Sequence, residues 1–411
     1  MICFDRFTLA NGLRVIVHHD PSTPIASFNL LYDVGAKDEH ESRTGFAHLF
    51  EHLMFGGSVH IPSFDKPLQE AGGSNNAFTS NDITNYYSTL PVNNLETAFW
   101  LDSDRMLSLA FSEKSLEVQR NVVIEEFKQR YLNQPYGDVW LLLRPLAYKE
   151  HPYRWATIGK EIAHIENAKM EDVKEFFYKH YGPENAILCV AGNVTIDRVK
   201  ALSEKYFGSI PKREKYQRKI HPEPKQNEYR ELTVERDVPA NAIYKAYHMC
   251  SRLHPDFYAI DLISDLLSNG PSSRLYNTLV KEKGVFSELS AYVMGSHDNG
   301  LFIAAGKVSK GFDVRKADEL LEQELNRLTT EVVEDVELEK VKNKLQSTKI
   351  FREVSSLHKA MNLCLFELFG DAEMINLEME KYDNVDANQI RMVAQDLLRK
   401  ENCSTLFYLS K

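Results

Sequence analysis

A chain of 411 residues, 43% of them apolar, is long enough to bury a sizeable core and predicts two domains. Its formal charge of −10 leaves no basic surplus to neutralise phosphates, which excludes nucleic acid and an anionic membrane surface as expected partners. The five cysteines, Cys3, Cys189, Cys250, Cys364 and Cys403, are scattered without CxxC spacing and read as reduced, mostly core thiols.

In chain order, alternating apolar positions predict strands over Leu13 to His18 and Ile25 to Tyr32, with Asn11-Gly12 supplying the turn that leads in. A helix follows over Thr44 to Phe55, where Phe46, Leu49, Phe50, Leu53 and Met54 recur at helical spacing and Gly56-Gly57 ends the pattern. Strands are expected again at Asn76 to Thr79 and Thr84 to Leu90, then long helices at Leu95 to Phe111 and Glu113 to Tyr131. Near Lys174 to Tyr181 a helix gives way to a buried strand, Ala186 to Ala191, and then to a helix, Ile196 to Phe207. The charged, proline-bearing stretch Pro211 to Glu228 reads as a linker.

Beyond it the chain begins again with strands at Glu231 to Val234 and Ala242 to Met249. Helices are expected from Pro255 to Leu267, Ser273 to Lys281, Ser309 to Leu328 and Asp335 to Phe351, with a closing helix and strand from Gln389 to Leu409. That close has the architecture of the first half's end but no residue-level repeat, which leaves internal duplication open. Neither half alternates strand and helix regularly, so the expected fold class is α+β. The domains are set at residues 1–212 and 229–411, with 213–228 as the linker. No basic and apolar leader heads the chain, and no apolar run approaches the roughly 18 residues that span a bilayer. A cytoplasmic location is therefore expected, or a periplasmic one if the N-terminus was processed.

The tightest chemical constellation is His48, Glu51 and His52 on the first helix, an HxxEH motif. Residues four apart project from one helical face and offer two imidazoles to one ion, with neutral imidazole suited to zinc. Glu51 is placed to activate a zinc-bound water for attack on a carbonyl. Catalytic zinc takes a third protein ligand, and Glu117, Glu125 and Glu126 on the helix Glu113 to Tyr131 are the candidates; periodicity does not choose among them. The competing reading, solvated helix carboxylates and satisfied histidines, loses ground because the rest of the first helix is apolar and draws its histidines inward.

With these residues in place, the chain resembles the M16 family of metallopeptidases, which includes pitrilysin, insulin-degrading enzyme and the mitochondrial processing peptidase. The resemblance rests on TGFAHLFEHLMFGGS (Thr44 to Ser58), GGSNNAFTSNDITNYYSTLP (Gly72 to Pro91) and QRNVVIEEF (Gln119 to Phe127), then PYGD at Pro135, HPYRWATIG at His151 and SSRLY at Ser272 to Tyr276. It implies two similar domains, each a mostly antiparallel sheet packed with helices. By position it implies one zinc ion held by His48, His52 and Glu126, Glu51 as general base, and substrate pairing along Asn76, Ala77 and Phe78. Gln119 stands where the family often has a supporting glutamate.

The activity implied is that of an endopeptidase for peptides or unfolded segments held in a closed chamber, the alternative being a non-catalytic assembly subunit. Members that act alone carry an arginine and, seven residues later, a tyrosine that bind substrate; registering on SSRLY puts Val280 and Ser287 at those positions. The chain thus resembles the zinc-bearing subunit of a two-subunit member. The expected assembly is a heterodimer with a homologous subunit supplying the missing pair, with a homodimer as the other possibility.

Overall fold

A computed structural model describes residues 1–411. The chain opens with β1 (Asp5–Thr8), β2 (Arg14–His19) and β3 (Ile25–Tyr32), then α1 (Phe46–Leu53), α2 (Asp65–Glu70), β4 (Ser74–Thr79) and β5 (Thr84–Pro91). Helices α3 (Leu95–Leu107), α4 (Glu113–Phe127), α5 (Val139–Ala147), α6 (Ile162–Glu166) and α7 (Met170–His180) lead to β6 (Ala186–Gly192) and α8 (Ile196–Phe207). The second half runs β7 (Arg230–Arg236), β8 (Ala242–His248), α9 (Phe257–Ser268), β9 (Phe286–Met294) and β10 (Leu301–Val308). It ends with α10 (Val314–Thr330), α11 (Asp335–Arg352), α12 (Ser356–Leu368), α13 (Met374–Asp383), α14 (Ala387–Leu397) and β11 (Cys403–Ser410). No helix is long and apolar enough to cross a membrane.

The fold is α+β, built on two sheets of order β1-β2-β6-β3-β5-β4 and β7-β11-β8-β10-β9. Each sheet is antiparallel except for one pair, β2 with β6 in the first and β7 with β11 in the second. Strand β3 is buried from Ala26 to Tyr32 because both of its faces are covered. Phe28 packs edge-on against Phe99 of α3, while the opposite face meets α12, where Ser27 hydrogen-bonds Ser356 and the Cys364 thiol donates to the Asn29 carbonyl.

The two compact units are not the continuous halves expected. The first comprises Met1–Lys128, Trp155–Lys219 and Lys349–Leu377; the second comprises Gln129–Arg154, Ile220–Thr348 and Glu378–Lys411. Helix α12, from late in the chain, completes the first core: Ala360, Leu363, Cys364 and Phe366 pack with Ile16, Leu31, Ile187 and Cys189. Helix α5, from early in the chain, completes the second: Val139, Leu143 and Ala147 pack with Ala242, Ala246, Ile303 and Leu406. The apolar face of a helix is indifferent to its origin along the chain, which is why a continuous division assigns both helices to the wrong unit.

The expected linker is anchored at several named residues. In the first unit the Arg213 guanidinium donates to the Phe177 carbonyl at 3.1 Å and lies 4.8 Å over the Phe177 ring, and Arg218 reaches Asp38 at 2.6 Å and Asp33 at 2.8 Å. In the second unit Glu223 accepts three consecutive backbone N–H groups, from Lys149, Glu150 and His151, at 2.7, 2.9 and 2.8 Å. These contacts hold the Glu223 carboxylate below its ordinary range despite its partial burial. Arg213, Arg218 and Glu223, three of the charges in that stretch, are therefore partners of named groups. Of the five cysteines, Cys189, Cys364 and Cys403 are buried, Cys250 is partly buried and Cys3 is exposed.

Candidate metal centre

Helix α1 begins at Gly45, whose φ of +87° favours glycine and which has no side chain to cap the helix. The missing cap comes from Glu39: its carboxylate accepts the N–H of Gly45 at 2.9 Å and of Ala47 at 2.8 Å. A carboxylate at a helix N-terminus satisfies free amides and opposes the positive end of the dipole. Burial pushes the Glu39 carboxyl up to about 8, against the two amides that favour its charged form.

The apolar face of α1 anchors it. Phe46, Ala47, Leu49, Phe50 and Leu53 are buried, with Phe50 packed against Phe176, Phe177 and Tyr181 at ring separations of 5.3, 6.1 and 4.8 Å. His48 and His52 share a different face, with ring centroids 4.8 Å apart. Helix α4 begins at Ser112, whose side chain accepts the Ser115 N–H, and is seated by Leu116, Val123, Ile124 and Phe127. It carries Glu126 to the histidines: one carboxylate oxygen lies 3.6 Å from His48 Nε2 and 3.4 Å from His52 Nε2.

The other two candidate carboxylates lie elsewhere. Glu125 pairs with Lys128 at 2.7 Å and is 60% exposed, while Glu117 pairs with Arg120 on the solvent side of α4. The distinction is one of helical phase, since neighbouring residues point about 100° apart.

A donor set of two imidazole nitrogens and one carboxylate oxygen, all within 4.8 Å of one another, suits a divalent ion of the zinc type. The separations of 3.4 and 3.6 Å are close to the spacing of about 3.4 Å between ligands placed tetrahedrally at about 2.0–2.1 Å from a common centre. Glu51 faces the same region without joining that group. Its carboxyl is raised by burial, against the hydrogen bond from Thr79 and the field of His52.

Asn76, Ala77 and Phe78 lie in β4, the outer strand of the first sheet, paired on one side only, with Tyr87, Tyr86 and Asn85 of β5. Asn76 and Phe78 are exposed and Ala77 is half-buried, so an edge is open there. Gln119 stands two turns before Glu126 on α4 and is half-buried. Besides the Glu39 cap, a second contact was missed from sequence: the Thr79 hydroxyl donates to Glu51 Oε2 at 2.6 Å. The only sequence signal for it was the position of Thr79 at the end of a predicted strand.

In the second unit Val280 packs against the core from a π-helical turn, Tyr276–Glu282, and Ser287 on β9 donates to the Lys307 carbonyl at 3.3 Å. Arg274 is held by both carboxylate oxygens of Glu337, at 2.9 and 2.6 Å, and Tyr276 and Tyr292 are 40% and 36% exposed.

Residues 14–154 match the family model described as Insulinase (Peptidase family M16), and residues 167–345 match the one described as Peptidase M16 inactive domain. The zinc protease PqqE of Helicobacter pylori is 29% identical over 409 residues, spanning 97% of this chain and 91% of that protein. A crystal structure of a protease from Helicobacter pylori covers 100% of both chains with a TM-score of 0.95 at 28% identity. The peptidase M16 inactive domain of Pseudomonas fluorescens shares the fold, with a TM-score of 0.90 at 16% identity over 99% of this chain and 98% of that one. The first of these matches contains the convergent donors, the second supplies most of the other half, and the chain belongs to the M16 peptidase family.

Proposed function

We propose that the chain is a zinc-dependent endopeptidase for peptides or unfolded polypeptide segments, with His48, His52 and Glu126 as the metal ligands and Glu51 as the general base. The observation that carries this reading is the convergence of three donor atoms from α1 and α4 to within 4.8 Å, beside a carboxylate that is not one of them. An ion held there supplies Lewis acidity, polarising a carbonyl and lowering the pKa of a coordinated water. Glu51 accepts a proton from the attacking water and passes it to the leaving amide nitrogen. The backbone of Asn76 to Phe78 pairs with the extended substrate, so that main-chain hydrogen bonds set its register.

The active assembly we propose is a heterodimer with a homologous subunit that completes a closed chamber and supplies an arginine and tyrosine. The support is that Val280 is an aliphatic side chain packed against the core and Ser287 is a neutral hydroxyl engaged by a carbonyl, so neither offers a cationic or phenolic donor to a developing oxyanion. The test is metal analysis coupled to peptide hydrolysis, with and without that subunit. Glu51→Gln is expected to keep about one metal per chain and to lose on the order of 10²-fold or more in kcat. Retained activity removes Glu51 from its role, and a lone chain as fast as the mixture removes the partner.

A further inference from the structure

The carboxylate of Glu51 draws its hydrogen bonding from one residue. The Thr79 hydroxyl donates to Oε2 at 2.6 Å, a charge-assisted O–H···O⁻ distance, and an ionised carboxylate can only accept. Thr79 is also the last residue of β4. It pairs with Thr84 of β5, whose own side chain is buried and bonded to the Val34 carbonyl at 3.0 Å. The chain then turns on Ser80, whose N–H reaches the Ile83 carbonyl at 2.8 Å and whose hydroxyl accepts the Asp82 and Ile83 N–H groups, each at 3.1 Å. The backbone under Thr79 is therefore fixed by a ladder on one side and a closed turn on the other. Alternation along the strand puts Thr79 on the face of Asn75 and Ala77, with Asn76 and Phe78 on the opposite, exposed face.

We propose that Thr79 is a positioning residue that holds the Glu51 carboxylate in register with a peptide docked along β4. The inference rests on the reading of Glu51 as the base and of β4 as the docking strand. A glutamate at the end of three rotatable bonds samples several orientations unless it is tied. Tying it to the strand that carries the substrate fixes base and scissile bond to one rigid element, so that the distance between them is built in before substrate arrives. Thr79 engages the Glu51 carboxylate through its hydroxyl and also through its backbone N–H, so replacing the side chain removes the first tie and keeps the second. The ordinary alternative is a strand-end threonine that satisfies a buried carboxylate for stability alone.

The test compares Thr79→Val, Thr79→Ala and Thr79→Ser with wild type in the metal-loaded, assembled enzyme, reading kcat, KM and metal content separately. Thr79→Val and Thr79→Ala are expected to lower kcat about 10- to 100-fold, the range for losing one charge-assisted hydrogen bond, with KM and metal content unchanged. Thr79→Ser, which restores the donor, is expected to recover most of the loss. In a Glu51→Gln background, Thr79→Val is expected to leave both the residual rate and the affinity for an uncleaved peptide where they were. Loss of metal or a raised KM in Thr79→Ala, failure of Thr79→Ser to recover, or additive loss in the double variant assigns Thr79 a structural part and overturns the proposal. Inactive Glu51→Gln with full activity in Thr79→Val and Thr79→Ala overturns it while leaving Glu51 as the base; active Glu51→Gln overturns the reading beneath it.

Discussion

Both units thread five strands in the same order. The first strand (β2 or β7) lies parallel to the last (β6 or β11), which is flanked by the second (β3 or β8), then the fourth (β5 or β10), with the third (β4 or β9) outermost. The correspondence reaches single residues. Asn185, just before β6, donates to the His180 carbonyl at the end of α7 and to the Asp33 carbonyl beyond β3; Asn402, just before β11, donates to the Leu397 carbonyl at the end of α14 and to the His248 carbonyl at the end of β8. Between the second and third strands, however, the first unit places FAHLFEHL of α1 and the second places FYAIDLISDLLS of α9. The shared topology sets where a helix stands, and the two histidines that the proposed metal site needs occur in the first unit's helix and not in the second's.

The sharpest test of that contrast is Glu126→Ala. Removing a ligand is expected to cost more than the roughly 100-fold that losing an outer hydrogen-bond partner costs, taking metal content from about one ion per chain toward none at micromolar supply. Glu125→Ala, one residue away on the exposed face, is expected to leave metal content and activity unchanged. Equal losses in the two variants, read by metal analysis after dialysis, would break the assignment of the centre to one helical phase.

How much of this was readable beforehand follows physical range. Elements with strong local periodicity were legible: Ile25 to Tyr32 and Thr84 to Leu90 fall within a residue of β3 and β5, and the helix around HxxEH was placed with its histidines on one face. Helix ends were less so, since Leu95 to Phe111 stops at Leu107 and the α-helical part of Glu113 to Tyr131 stops at Phe127, where a π-helical turn begins. The choice of Glu126 over Glu125 was out of reach of periodicity, because one residue of phase is decided by the partner helix. The likeness of the two units was hidden for a similar reason: its trace in sequence is Glu184-Asn185 against Glu401-Asn402, and the equivalence of the two asparagines shows only in the carbonyls they bind. Thr79 and Glu39 were missed because their roles lie across 28 residues of sequence in one case and at a helix end without a capping side chain in the other.

The exchange of helices offers a second way to break the comparison. Leu363 of α12 and Leu143 of α5 are both fully buried, so truncating either to alanine is expected to cost about 2–5 kcal/mol. The effects should land in opposite units from those a continuous division gives. Leu363→Ala, late in the chain, is expected to speed amide hydrogen exchange in β3 and β6, and Leu143→Ala, early in the chain, in β8 and β11. Exchange that instead rises near each mutated residue's sequence neighbours would restore the continuous halves.

The smallest effect turns on the equivalent helix ends, where the first unit has His180 and the second has Leu397. His180 is buried against Phe176 and Tyr216, at ring separations of 4.7 and 5.0 Å, and neither ring nitrogen has a hydrogen-bond partner. Burial lowers its pKa from 6.5 to about 3, with Lys179 and Arg218 adding to the depression. The unfolded chain therefore binds a proton between these values that the folded chain refuses, so stability is complete above about pH 6.5 and falls as pH drops toward 3. The slope is at most about 1.4 kcal/mol per pH unit, so the loss between pH 6 and pH 5 is roughly 1 kcal/mol. Replacing His180 by leucine, the residue the second unit uses, removes that titration. Urea midpoints at pH 7, 6 and 5 are expected to show His180→Leu gaining on wild type as the pH falls, with the gain largest at pH 5. A gap that stays constant with pH would mean that His180 is no more refused a proton in the folded state than in the unfolded one, and the two helix ends would then be electrostatically alike.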